Sequence, residues 1–137
     1  MKATDLMIGD WVKIKGHLDY DKVQEISRDE NMQWYISFAC SATLFRAYEF
    51  EPVPITPEIL EKNGFGFVKS YDIRSVWNGQ WIYKGLELAT CCLNRDDNWP
   101  CFINIDDSNI KCEYVHQLQH ALRLCKLDEL ADNFKIQ

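Results

Sequence analysis

Two histidines, His116 and His120, stand four residues apart in the stretch YVHQLQHALRLC at 114–125. On a helix this spacing sets two imidazoles one turn apart on one face, where a pair of ring nitrogens can grip one divalent metal. A zinc hydrolase built on this spacing carries a glutamate directly after the first histidine, to activate the metal-bound water. Here that position is Gln117, and a neutral amide accepts no proton. The spacing supplies a grip without a base, and a third ligand would have to come from Glu113 or Cys112.

A helical wheel sets the direction in which the pair points. At about 100° per residue, Val115, Leu118, Ala121, Leu122 and Cys125 form one apolar stripe, while His116 and His120 fall about 100° and 140° from Val115. The histidines are therefore expected on the polar face with Arg123. His116, His120 and Arg123 form the candidate interaction surface; no catalytic residue, metal ligand or cofactor is assigned.

Other chemistry-bearing residues lack the required order. Cys40, Cys91, Cys92, Cys101, Cys112 and Cys125 contain no C-x-x-C pair, the spacing of zinc knuckles and thioredoxin-like sites. The opening MKATDLMIGD has no signal-peptide pattern and no window is long enough to span a bilayer, so a cytoplasmic chain with reduced, buried cysteines is expected. Asp96, Asp97, Asp106 and Asp107 do not follow the calcium-loop pattern and are read as turn residues. There is no G-x-S-x-G elbow, phosphate-binding loop or dinucleotide fingerprint. A non-enzymatic protein is expected.

The 137 residues carry a net charge of −6, spread as −3 over 1–51, −2 over 52–112 and −1 over 113–137. That distribution disfavours a phosphate-tracking surface. Trp34, Tyr35, Phe38, Phe45, Tyr48 and Phe50 have the side chains to stack bases, but a small barrel needs most of them for its core. Lys13, Lys15 and Lys22 are interspersed with Asp19, Asp21 and Glu25.

The elements that position these residues begin with short strands. WVKIKGH alternates, DKVQEIS places Val23 and Ile26, and MQWYISF sets Met32, Trp34, Ile36 and Phe38 on one face. HLDYDK and SRDEN supply turn residues, Gly9-Asp10 makes the turn into the first long strand, and Pro52 and Pro54 end the run. These strands suggest an SH3-like small β-barrel over 1–55. In ITPEILEKNGF, Thr56 is an N-cap, Pro57 fits the first helical position, Gly64 takes the left-handed conformation and Phe65 folds back. Beyond it, FGFVKSYDIRSVW, QWIYKGLELATCCL, CFINI and IKCEY read as strands, with Asn78-Gly79 as a hairpin turn. A helix begins near Val115, and LDELADNFKIQ reads as a short helix that frays.

Three stretches, LMIGDWV at 6–12, PITPEILEKNGF at 54–65 and YVHQLQHALRLC at 114–125, together resemble a set of small uncharacterised proteins of gut anaerobic bacteria, many from prophages and conjugative elements. The resemblance implies an accessory protein of a mobile element and carries over no assigned site residue. Asn often stands in the place of His120 in that family, so the second histidine is a peculiarity of this chain.

The expected fold is β-rich α+β: the SH3-like barrel (1–55), then an α+β segment (56–137) with a small antiparallel sheet packed by the C-terminal amphipathic helix, the two closely packed. The expected partner is a protein or a second copy of the chain, with nucleic acid as the alternative and no membrane.

Overall fold

Gly9 and Asp10 set up the first strand. The computed structural model describes residues 1–38, 41–46, 49–69, 79–84, 86–90, 101–105 and 108–137. Gly9 has φ +89°, a backbone state costly for residues with a Cβ. Asp10 is fully buried; its Oδ2 accepts the Met7 N–H at 2.7 Å. Gly9 N–H donates to Val23 O at 2.7 Å, and Asp10 O accepts from Val23 N–H at 2.9 Å. The turn is thus fastened to a neighbouring strand, and Val12 enters the core while Trp11 stays half-buried.

The chain divides into two units, Met1–Val53 and Pro54–Gln137. The first is a five-stranded antiparallel sheet: β1 (Trp11–Ile14), β2 (Tyr20–Arg28), β3 (Trp34–Phe38), β4 (Ser41–Arg46) and β5 (Phe50–Pro52), in the order β4-β3-β2-β1-β5. β2 pairs with β1 through Tyr20, Asp21 and Lys22, and with β3 from Val23 to Arg28. A register shift between Val23 and Glu25 inserts one residue, so Val23 and Ile26, three apart, both face the core. Ile36 and Phe38 are buried and Trp34 packs beside them. Met32 does not continue that face: it has φ +64° and is exposed, in a turn held by Met32 N–H to Asp29 O at 3.0 Å and Gln33 N–H to Asp29 Oδ1 at 2.8 Å.

The first sheet is curled. Three strand steps separate β3 from β5, which in a flat sheet is roughly 14 Å at the usual spacing. Phe38 on β3 nevertheless meets Phe50 on β5 edge-on, with ring centroids 5.9 Å apart. Phe45 on β4 packs on Phe38 at 5.4 Å. Among the described residues no ladder joins β4 to β5, so the curl leaves two edges.

The second unit begins with α1 (Pro57–Lys62). Thr56 Oγ1 accepts the Ile59 N–H at 3.4 Å, and Phe65 N–H reaches Leu60 O at 3.1 Å. Gly64 has φ +82°, and a Cβ there would meet the Tyr83 ring at 3.4 Å. The antiparallel meander β6 (Gly66–Lys69), β7 (Gly79–Tyr83), β8 (Leu86–Thr90), β9 (Cys101–Ile105) and β10 (Ser108–Cys112) follows in sequence order. Gly79 is the first residue of β7, paired with Lys69, so it is not part of a two-residue turn between these strands. Asn78 lies outside the described residues, as do Cys40, Tyr48, Cys91, Cys92, Asp96, Asp97, Asp106 and Asp107.

After β10 come α2 (Val115–Leu124) and α3 (Asp128–Asp132). Val115, Leu118, Ala121 and Leu122 are buried, as the apolar stripe requires, while Cys125 is half-buried. The last residues do not fray. Ala131 and Phe134 are fully buried, and Ile136 is buried too. The side chain of Asn63, itself buried, holds them. Its Nδ2 donates to Lys135 O at 2.7 Å and to Ile59 O at 2.7 Å, and its Oδ1 accepts the Lys135 N–H at 2.8 Å. One amide side chain thus meets both backbone groups of one residue, as a neighbouring strand would. The protein is therefore a strand-rich α+β protein with a helical C-terminal segment.

Leu118→Ala should cost about 2–5 kcal/mol of unfolding free energy, from lost burial and the cavity left behind. Asn63→Ala should cost about 2–4 kcal/mol, because buried backbone groups lose their partners. Asn133→Ala removes only an exposed local bond to Glu129 O and should cost under about 0.5 kcal/mol; urea denaturation measures all three. Glu58 is exposed in the first turn of α1, and its own backbone N–H and the Thr56 hydroxyl hold its carboxyl below the ordinary 4.5. A depressed pKa stabilises the fold above the unfolded value, and the gain is lost as pH falls through the folded one. The stability difference between wild type and Glu58→Gln should therefore be largest above pH 4.5 and shrink in more acidic urea titrations.

Candidate functional site

The polar face of α2 is more covered than its sequence implies. His116 is only 4% exposed, which corrects the solvated position expected from the wheel. That wheel accounts for the apolar stripe but not for chain arriving from outside the helix. The residues after α2 fold back along the side on which His116 lies. Gln119, fully buried, donates through Nε2 to Ala131 O at 2.8 Å. Arg123 Nη2 pairs with Asp132 Oδ1 at 3.2 Å, and the Arg123 side chain is 15% exposed. Of the three candidate surface residues, one is buried, one is ion-paired, and His120 is half-buried.

The two histidines do meet. Their ring centroids lie 6.0 Å apart in an edge-to-face contact, and His116 also stacks on Tyr114 at 5.9 Å with the planes 8° apart. The ligands needed to complete a metal site are engaged elsewhere. Glu113 precedes the helix and pairs with Lys111 Nζ at 2.5 Å, and Cys112 is buried in β10. Among the described residues no group of three or more His, Cys, Asp or Glu side chains converges. Gln117 has a different task from the general base of a zinc enzyme: its Oε1 accepts the Glu113 N–H at 2.8 Å and the Tyr114 N–H at 3.3 Å. It satisfies backbone donors where the helix starts, as the third residue of a capping box does.

A more open arrangement lies in the first unit. Ile14, Lys15, His17, Phe45 and Glu49 line a groove of about 420 Å³. Ile14 ends β1 and Phe45 is near the end of β4; both are half-buried and pack against the unit's core. Lys15 N–H donates to Glu49 O at 2.8 Å, which fixes the end of β1 beside the chain entering β5. Glu49 Oε2 accepts the Arg46 N–H at 2.5 Å, so this carboxylate is folded onto its own loop. Gly16, with φ +78°, turns the chain away from β1. His17 N–H donates back to Ile14 O at 3.1 Å, and the next residue, Leu18, is 91% exposed.

Sequence alone does not reveal this groove, because its lining comes from separated segments of the chain. The available signal was Lys15-Gly16-His17-Leu18, a glycine turn that ends an alternating strand and carries a basic pair and an unburied leucine. Apolar floor and charged rim together suit side-chain binding; the groove's volume fits one or two side chains and is at the lower end of small ligand sites.

Burial ranks the two histidines. His116→Ala should cost about 1–3 kcal/mol and His120→Ala under about 1 kcal/mol in chemical denaturation; equal small losses would place His116 on the surface after all. Comparison with known proteins adds no relative: no family model, no curated protein and no solved structure matches the chain.

Proposed function

We propose that this protein is a non-catalytic, protein-binding accessory factor whose N-terminal unit works as an SH3-like small barrel. The groove carries this reading: two side chains of the core, Ile14 and Phe45, reach solvent between charged rim residues. The barrel reading is supported by the curl that joins Phe38 to Phe50 and by a strand order in which β5 returns to pair with β1. The setting is the cytoplasm of a host carrying a phage or other mobile element, as the resemblance in the three motifs implies.

A nucleic-acid-binding role is the second reading, and cross-strand pairs favour it. Lys22 lies 5.1 Å from the Trp11 ring centroid, Arg28 5.1 Å from that of Trp34 and Arg46 6.0 Å from that of Tyr35. Cations interleaved with aromatics are what a single strand needs for phosphate and base contacts. Here each cation already sits over its own ring, and the chain total of −6 opposes accumulation of phosphate.

Two measurements separate these readings. Affinity capture from the native host with the wild-type protein should enrich a partner that the Lys15→Glu, His17→Glu double variant retains about tenfold less, at unchanged melting temperature. Fluorescence anisotropy with a single-stranded oligonucleotide at low salt should show no binding tighter than about 10 µM. Tight binding that falls steeply with salt would favour the second reading.

A further inference from the structure

We propose that the groove lined by Ile14, Lys15, His17, Phe45 and Glu49 receives a short acidic segment of a partner protein, one bulky apolar side chain seated on Ile14 and Phe45 and a flanking carboxylate held by Lys15 and His17. This rests on the protein-binding reading above and names the chemistry of what is bound.

The floor sets the first requirement. Ile14 and Phe45 both pack on the core and remain half-buried at the groove. Phe45 is the outer ring of a continuous aromatic series through Phe38 to Phe50. An apolar side chain entering here extends that series and removes two core side chains from water, which is the main source of affinity for such a site. A volume of about 420 Å³ admits a phenylalanine or leucine with part of its backbone.

The rim sets the second requirement. Among the described residues Glu49 is the one acidic residue lining the groove, and its carboxylate accepts from the Arg46 backbone N–H. One of its two oxygens is thereby engaged by its own loop. Lys15 and His17 are exposed, and among the described residues neither side chain forms an ion pair. Two donors without an internal acceptor face a ligand beside an apolar floor, and a carboxylate is the group that answers both. A basic segment would instead meet Lys15 with like charge, which costs affinity and selects against it.

The end of β1 holds these donors in place. Lys15 N–H is fixed to Glu49 O and His17 N–H to Ile14 O, so the backbone that carries both side chains is set before a ligand arrives and only the side chains are left to order.

The test uses the full chain and three fluorescein-labelled peptides: Glu-Glu-Phe-Glu-Leu-Glu, the same peptide with Lys for every Glu, and the same peptide with Gln for every Glu. Binding is read by anisotropy, and its location by amide shifts of Lys15, His17, Phe45 and Glu49 in a two-dimensional NMR spectrum. The acidic peptide should bind at least about tenfold more tightly than the other two and shift those four amides. Lys15→Glu should weaken it by about tenfold and Lys15→Arg by less than about threefold, both at unchanged melting temperature. If the Gln or Lys peptide moves the same amides with equal affinity, the groove is a peptide receptor and the acidic specificity is wrong. If no peptide moves them up to about 1 mM, the groove is not a peptide receptor, and both this inference and the part of the functional reading that rests on the groove are overturned.

Discussion

One strand with two partners governs the first unit. β2 gives its first three residues to β1 and the rest to β3, and a strand can do this while feeding one core only if its inward face is re-aimed between the two ladders. The inserted residue between Val23 and Glu25 does so. Without it, Val23 and Ile26 would lie on opposite faces, and one half of β2 would present polar side chains to the core. A bulge also bends its strand, and the sheet has a second register shift between Ile36 and Phe38; both accompany the curl that brings Phe38 to Phe50.

The second unit shows how residues with catalytic side chains become structural. His116, Gln117, Gln119 and Arg123 stand on the polar side of one helix, and each has a task within the fold. Gln117 satisfies donors before the helix, Gln119 bonds Ala131, Arg123 pairs with Asp132 and His116 is buried against Tyr114 and His120. A buried polar group needs a partner and costs stability without one, so the C-terminal segment that covers this side also supplies Ala131 O and Asp132 Oδ1. An apolar stripe and a separate polar surface is the usual form of a helix at the edge of a domain. Here the polar side is a second packing face.

What the sequence makes legible is local. Thr56, Pro57 and Gly64 bound α1 because caps and left-handed turns depend on a few adjacent residues. Gly9-Asp10 marks the entry to β1 for the same reason, alternation sets Ile36 and Phe38 on one face, and it leaves Trp11 and Val12 as alternatives for the core, of which Val12 is the buried one. The misreadings share a different cause. Met32 alternates correctly but falls in the turn closed by Asp29. His116 is on the polar face of its wheel, yet chain from beyond Cys125 covers that side. Asn63 looks like an ordinary C-terminal helix residue, and its partner Lys135 lies 72 residues on. The groove belongs to this class too, since it exists only where the ends of β1 and β4 approach the chain entering β5.

That separation of 72 residues also orders events in time. Loop closure over such a span is slow compared with forming a hairpin, and on a growing chain it has to wait until Lys135 has been made. Every strand of the first unit lies within Met1–Val53, so on the ribosome that sheet can assemble while Asn63 still lacks its partner. Through that interval the buried face of α1, with Ile59 and Leu60 on it, is an unfinished surface.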